Sequence, residues 1–299
     1  MDGLQTLLLL NKIIMPSYKN ASPWLLVLLF IFFSCRDDAQ YKGPVGYDIN
    51  NPQKFDMPNA LHEISGISFL KEATDSICAI EDEDGKLFYF VLGSTEIKHS
   101  KFGKKGDFED VAVLNKKTVA VLRSDGSLFI FAAAEIGKEK IDSVQQYLNI
   151  LPEGEYEGLT AYDGKLYALC KKCIIDDEKK EISLYTLAQD SNKILAVTGS
   201  LKIDLSPIKK ENKESGKGKF HPSCIAKNPL THEWYIISSV NKLLVVLDEQ
   251  WKITASFPLN PSMFKQPEGI AFNAKGDLYI SNEGALGTAN ILVFRYYKQ

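Results

Sequence analysis

The sequence predicts an all-β chain folded as a five-bladed β-propeller over residues 47–299. Three observations carry that expectation. A short register, a polar residue set in front of an apolar strand, recurs five times; a second register follows each copy at near-constant distance; and no long stretch has a helical period. Sixteen Phe and thirteen Tyr among 299 residues agree with it, because flat rings pack well on a pleated surface. A six-bladed propeller with one degenerate blade is the alternative.

The N-terminus reads as separate from the fold. Lys19 precedes ten apolar residues, Trp24 to Phe33, and then Ser34 and Cys35. Ten residues rise about 15 Å as a helix, short of a bilayer core of about 30 Å, and suit the apolar region of a signal peptide. Phe32, Phe33 and Ser34 ahead of Cys35 resemble a bacterial lipobox, in which the Cys is lipidated and becomes the first mature residue. Phe33 is bulkier than the commonest pattern, and an uncleaved anchor or a buried Cys35 is the competing reading. Met15 is an alternative start, since "MPSYKN" supplies a conventional leader opening. Arg36, Asp37 and Asp38 resemble the surface-export signal of some Gram-negative lipoproteins, although solvated tethers are often acidic. The expected organisation is a leader over 1–34, a lipid-anchored tether over 35–46 and the propeller over 47–299. The expected location is the cell envelope, tied to the membrane by lipid on Cys35, at the outer membrane, with the membrane face left open and surface exposure one alternative.

The first register comprises "EISGISF" at 63, "DFEDVAV" at 107, "EYEGLTA" at 155, "HPSCIAK" at 221 and "QPEGIAF" at 266. The third residues are Ser65, Glu109, Glu157, Ser223 and Glu268, separated by 44, 48, 66 and 45 positions. Three of these match a four-stranded blade of about 40 to 50 residues. The long interval contains "IKKENKESGKGK", residues 208–219, which reads as a solvated insertion and is too short to add a second blade. A turn and a second apolar strand follow each start and place Glu81, Arg123, Cys170, Ser238 and Asn282 in one register, 13 to 16 residues on. Two antiparallel strands joined by a tight turn bring both registers to one sheet edge. The segment 47–58 precedes the first unit and is expected to close the ring by adding an outer strand to the last blade.

Four cysteines lie in the repeats. Cys78 and Cys224 sit in apolar runs and read as small buried hydrophobes. Cys170 and Cys173 form a CxxC pair of redox or metal-binding appearance, but no second pair exists to complete a zinc site, and a plain buried role competes. The four His show no HExxH pattern. A net charge of −3 argues against a nucleic-acid partner.

Innermost propeller strands line a central channel. Glu109, Glu157 and Glu268 are therefore expected to converge on one channel mouth, with Ser65 and Ser223 completing the ring. Glu63, Asp107, Glu155, His221 and Gln266 stand two residues earlier, and Glu81, Asp82, Arg123, Lys171, Asn282 and Glu283 join that face from the second strands. Converging carboxylates repel, and burial raises their pKa further. A cation relieves both, and hard oxygen donors suit Ca²⁺. Tethering neighbouring backbones is the competing role for one polar residue per repeat.

The five starts, above all "YEGLTAYDGKLYAL" and "QPEGIAFNAKGDLYISNE", resemble the SdiA-regulated (YjiK-like) family of bacterial envelope propellers, over about residues 60–299. The resemblance implies a five-bladed propeller, distantly similar to NHL-repeat propellers, with a calcium site and no established activity. Its Ser, Glu, Glu, Ser, Glu order falls on Ser65, Glu109, Glu157, Ser223 and Glu268. Asp110 and Cys224 depart from it, standing where Gly is expected after the ring residue.

Two functions from different classes follow, with an inert scaffold as a third. One is a Ca²⁺-stabilised module that meets a small ligand or a protein on the ring face, where Lys171 and Arg123 would orient an anionic group. The other is a metal-dependent hydrolase of lactones or phosphate esters, with His221 or Glu63 as base. No GxSxG element or Ser-His-Asp set is evident, so binding is favoured over catalysis.

Overall fold

The computed structural model describes residues 40–70, 76–211, 219–285 and 287–298. The expectations placed on the leader, Met15, Cys35 and the acidic run after it lie outside those residues. Residues 41–299 form one compact unit.

Five four-stranded antiparallel sheets make up that unit. The first blade comprises β2 (Ile64–Phe69), β3 (Ser76–Glu81), β4 (Lys86–Val91) and β5 (Lys98–Lys101). The second comprises β6 (Phe108–Leu114), β7 (Thr118–Arg123), β8 (Leu128–Ala132) and β9 (Gln145–Tyr147). In the third, β10 (Gly154–Tyr162), β11 (Lys165–Cys173) and β12 (Glu181–Gln189) run to nine residues and β13 (Leu195–Asp204) to ten. The fourth is β14 (Cys224–Lys227), β15 (Trp234–Ser238), β16 (Leu243–Leu247) and β17 (Ile253–Pro258). The fifth joins β18 (Pro267–Phe272), β19 (Leu278–Asn282) and β20 (Asn290–Phe294) to β1 (Gln53–Asp56), from the far end of the chain. Gln53 stands opposite Val293, and Asp56 opposite Asn290. The closure expected of residues 47–58 is therefore real, and it covers the edge that β20 would otherwise leave open.

Two expectations need adjusting. The 66-residue interval is not filled by the polar insertion alone. The strands of the third blade are themselves long, and a six-residue helix, α1 (Ser206–Glu211), follows β13. The tether also ends earlier than Gly46. Pro44 and Gly46 are buried, the Tyr297 amide donates to the Gly46 carbonyl at 2.9 Å, and Tyr41 packs on the core. Tyr47 donates from its hydroxyl to the Gly276 carbonyl at 2.5 Å, pinning the entry of the chain to the fifth blade.

The core lies between blades, as five apolar layers that each draw on two neighbouring sheets. The strand β7 shows why its run "TVAVLR" carries no polar alternation. Val119 and Val121 pack toward the first blade, while Ala120 and Leu122 pack toward the third. Side chains on a strand alternate between faces, and here both faces are covered. Each fully buried Leu, Ile or Val of this kind stabilises the fold by about 1.5–3 kcal/mol.

Candidate functional site

The site begins with a backbone irregularity. The pairing of the innermost strand with its neighbour slips between Ile64 and Ile67, Phe108 and Asp110, Tyr156 and Gly158, and Pro267 and Gly269. Ser65, Glu109, Glu157 and Glu268 fall in those slips, and Ser223 stands just before β14. A bulge leaves one residue out of the ladder and re-aims its side chain. That is how a carboxylate can stand at the mouth of a core strand without entering the core.

The glycine behind it has its own cause. A Cβ on Gly269 would lie 2.5 Å from the Ser65 carbonyl oxygen of the first blade. One on Gly66 would lie 2.0 Å from Oδ1 of Asp110. At Gly66 and Gly269 the residue after the bulge thus faces a neighbouring inner strand at a distance that leaves no room for a side chain. Asp110 uses the space that Gly66 vacates. Fully buried, it accepts from the Val111 amide at 2.8 Å and from the Leu159 amide of the third blade at 2.6 Å. Asp110 thus fills a blade-tethering role, and of the ring glutamates Glu268 shares it through Ser223 and Ser239 of the fourth blade. Ser281 ties the fifth blade to the first in the same way, donating to the Ser65 carbonyl at 2.8 Å.

The three glutamates share one electrostatic field. Burial raises Glu109, and Glu157, Asp107 and Glu268 raise it further, to about 10. No hydrogen bond or ion pair reaches its carboxylate among the described residues. Burial also raises Glu157, but Lys171, which donates to it, holds it to about 7. Glu268 is raised by burial and stabilised by hydrogen bonds from Ser223 and Ser239. Lys242, half-buried, brings a second ammonium toward Glu268.

The second register sits one residue away from where the sequence placed it. Glu81, Cys170, Ser238 and Asn282 are buried. Glu81 accepts from the Glu83 and Asp84 amides at 3.1 and 2.7 Å and serves the turn. Asn282 is directed into the fifth blade, where it donates to Asn290 at 3.1 Å. Arg123 is held by Asp125 at 3.0 and 2.6 Å and lies 5.6 Å over Phe129, so its guanidinium serves the second blade. The residues after these, Asp82, Ser124, Lys171, Ser239 and Glu283, make the contacts at this mouth. A one-residue step exchanges the faces of a strand, which accounts for the difference. Ser239 and Lys242 were missed in the sequence; strand parity, read one position on, could have found Ser239.

The remaining face residues fall around the rim. Ser124 donates to Asp107 at 2.5 Å, Lys172 pairs with Glu155 at 2.5 Å, and Gln266 donates to Glu283. The His221 amide donates to Asn241 at 3.2 Å, burial lowers its imidazole pKa, and its Nδ1 is buried without a partner among the described residues. Glu63, Glu81 and Asp82 bring one oxygen each within 4.8 Å of one another. Burial together with Glu63, Glu81 and Glu283 raises Asp82 to about 7. Cys170 and Cys173 are joined in a disulfide, so they offer no thiolate to a metal, while Cys78 and Cys224 are free and buried as expected. A cavity of about 760 Å³ between β1 and the outer strands of the first blade is lined by none of these residues.

Comparisons with known proteins agree with the architecture. The family model described as SdiA-regulated matches residues 46–287. No curated protein matches the chain. Among solved structures, a luciferin-regenerating enzyme is similar over 82% of this chain and 95% of its own, at 10% identity and a TM-score of 0.51. The PQQ-bound form of an aldose sugar dehydrogenase from Streptomyces coelicolor is similar over 85% and 100%, at 12% identity and a TM-score of 0.51. At such identities the likeness concerns the fold alone.

Proposed function

This chain belongs to the SdiA-regulated family, and from that premise we propose that it is a cell-envelope interaction module whose acidic channel mouth binds Ca²⁺. The observation that carries the reading is Glu109, a half-buried carboxylate with no partner of its own among the described residues, set beside two more carboxylates and one pairing ammonium. A cation entering this mouth relieves the repulsion that raises Glu109 and Glu157. The donors are hard oxygens, the class Ca²⁺ takes in sets of six to eight. Glu109 and Glu157 would hold the ion, with Glu268 fixed behind them by Ser223 and Ser239 and with Ser65 on the first blade. The three carboxylates are not gathered within 4.8 Å of one another, so the ion competes with Lys171 for Glu157. Bound Ca²⁺ supplies positive charge here, and the chain supplies the rigid ring that presents it to a small ligand or protein.

The envelope part of the proposal rests on the lipobox-like run before Cys35. The Cys170–Cys173 disulfide supports it, because such bonds persist outside the reducing cytosol. Lipid on Cys35 would tether the propeller to the membrane and leave the ring face free.

Thermal unfolding of residues 41–299 with EDTA, Ca²⁺ or Mg²⁺ tests the metal. A ligand that binds only the native state stabilises it by about 2.7 kcal/mol at a hundredfold excess over its Kd. The expected result is a rise with Ca²⁺ that is lost in Glu109→Gln and kept in Glu63→Gln. Loss in Glu63→Gln alone moves the ion to the Glu63–Asp82 cluster, and no response to either ion removes the metal from the account.

A further inference from the structure

The channel has a second mouth, built by the other ends of the same inner strands, and among the described residues no carboxylate lines it. Phe69, Val113, Ala161, Ala226 and Phe272, one from each blade, line a cavity of about 410 Å³ there. This volume is that of a small-molecule site, and its wall is mixed: the apolar side chains share it with Ser68, Thr160, Tyr162, Lys227 and Asn273. Ile67, Val111, Leu159 and Ile270 close its floor, so the funnel ends on packed core.

Among the described residues that line the funnel, Lys227 carries the one formal charge. Its ammonium lies 3.7 Å over the ring of Tyr162 and 4.9 Å from the ring of Trp234. No carboxylate pairs with it among the described residues. Aromatic faces attract a cation, yet they leave its charge open to an anion in a way that a salt bridge does not. Tyr162 is itself exposed at the mouth. Among the described residues the hairpin tips around it add Lys116, Lys117, Lys165 and Lys275 against Asp163, Glu233 and Asp277, the last of which pairs with Arg295. The acidic mouth and this one therefore differ in the sign of the charge that lines them.

We propose that the second mouth binds a small amphipathic anion, an alkyl or aryl carboxylate whose apolar body fills the funnel and whose charge pairs with Lys227. The site is separate from the acidic ring, and neither depends on the other.

Octanoate, octanol and octylammonium, titrated into residues 41–299 in EDTA and followed by calorimetry and by Trp234 fluorescence, test this. Octanoate is expected to bind saturably at one site and octylammonium not to bind. Lys227→Gln should weaken octanoate about fivefold, as for a partly exposed ion pair, and leave octanol unchanged. Ala161→Trp, which fills the funnel, should remove both. Failure of octanoate to saturate, equal binding of octanoate and octylammonium, or an octanoate affinity indifferent to Lys227→Gln would overturn the proposal.

Discussion

Lys171 donates to Glu157 across the bulge that sets Glu157 apart from its own strand, and that pair supplies the nearest positive charge to Glu109. The chain thus carries a resident cation at the place where an external one is proposed. Charge balance at the mouth is then a competition, and its terms can be changed one residue at a time.

Removing the resident cation should favour the external one. In Lys171→Met, Glu157 loses its partner while remaining buried, so the metal-free protein should be less stable by about 2–3 kcal/mol near pH 8. Its apparent Ca²⁺ affinity should rise, because the ion no longer displaces an ammonium. Urea unfolding with and without Ca²⁺ measures both. An affinity unchanged or lowered by the substitution would place the ion away from Glu157.

Stability should fall with pH when no cation is present. Glu157 moves from its usual 4.5 up to about 7 on folding, so the native state holds a proton that the unfolded state has released. Its contribution is complete below pH 4.5 and is lost as pH rises through about 7. Glu109, raised to about 10, extends the decline to higher pH. Saturating Ca²⁺ should flatten this slope, and its binding near pH 6 should release protons, visible as a buffer-dependent heat.

Asp110 should matter to stability and not to the ion. Asp110→Ala leaves the Leu159 amide without its acceptor and opens a void beside Gly66, at a cost of about 3 kcal/mol. Asp110→Asn keeps part of the acceptor set and should cost about 1 kcal/mol. Gly66→Ala drives a Cβ into the Asp110 carboxylate and should destabilise by about 2 kcal/mol. Chemical denaturation ranks the three, while Ca²⁺ affinity in the folded Asp110→Asn protein should be unchanged.

The disulfide should be found by thiol counting. Unfolded without reductant, residues 41–299 should label at two cysteines, Cys78 and Cys224, and at four after reduction. A loop this short constrains the unfolded chain by about 2 kcal/mol, so Cys170→Ala with Cys173→Ala should lower stability by about that amount.

Much of this was legible in the sequence because the repeat is a physical constraint. Five copies of one register fixed the blade count, and three ring carboxylates stood in it. Side-chain direction was harder to read. The sequence places Arg123, Lys171 and Asn282 alike on the ring face, yet of these Lys171 reaches the ring glutamates, and Ser239, which also does, carries no signal in that register. The bulge at Glu157 changes the parity between paired strands, and an apolar run covered on both faces gives no alternation from which to recover it. Asp110 was noted as a departure from Gly, but its tie to Leu159 depends on a contact between blades 49 residues apart in the chain. Pairings of that kind need the closed ring to become visible.

Calcium titration of residues 41–299 by calorimetry at pH 8, on the native protein and on Glu109→Gln, reads the occupancy of the acidic mouth itself. The account predicts one Ca²⁺ per chain in the native protein and an affinity at least about tenfold weaker in Glu109→Gln, the loss of one charged ligand from a buried site. Equal binding by the two proteins, or none by either, would contradict it and leave the ring neutralised by Lys171 and bound protons alone.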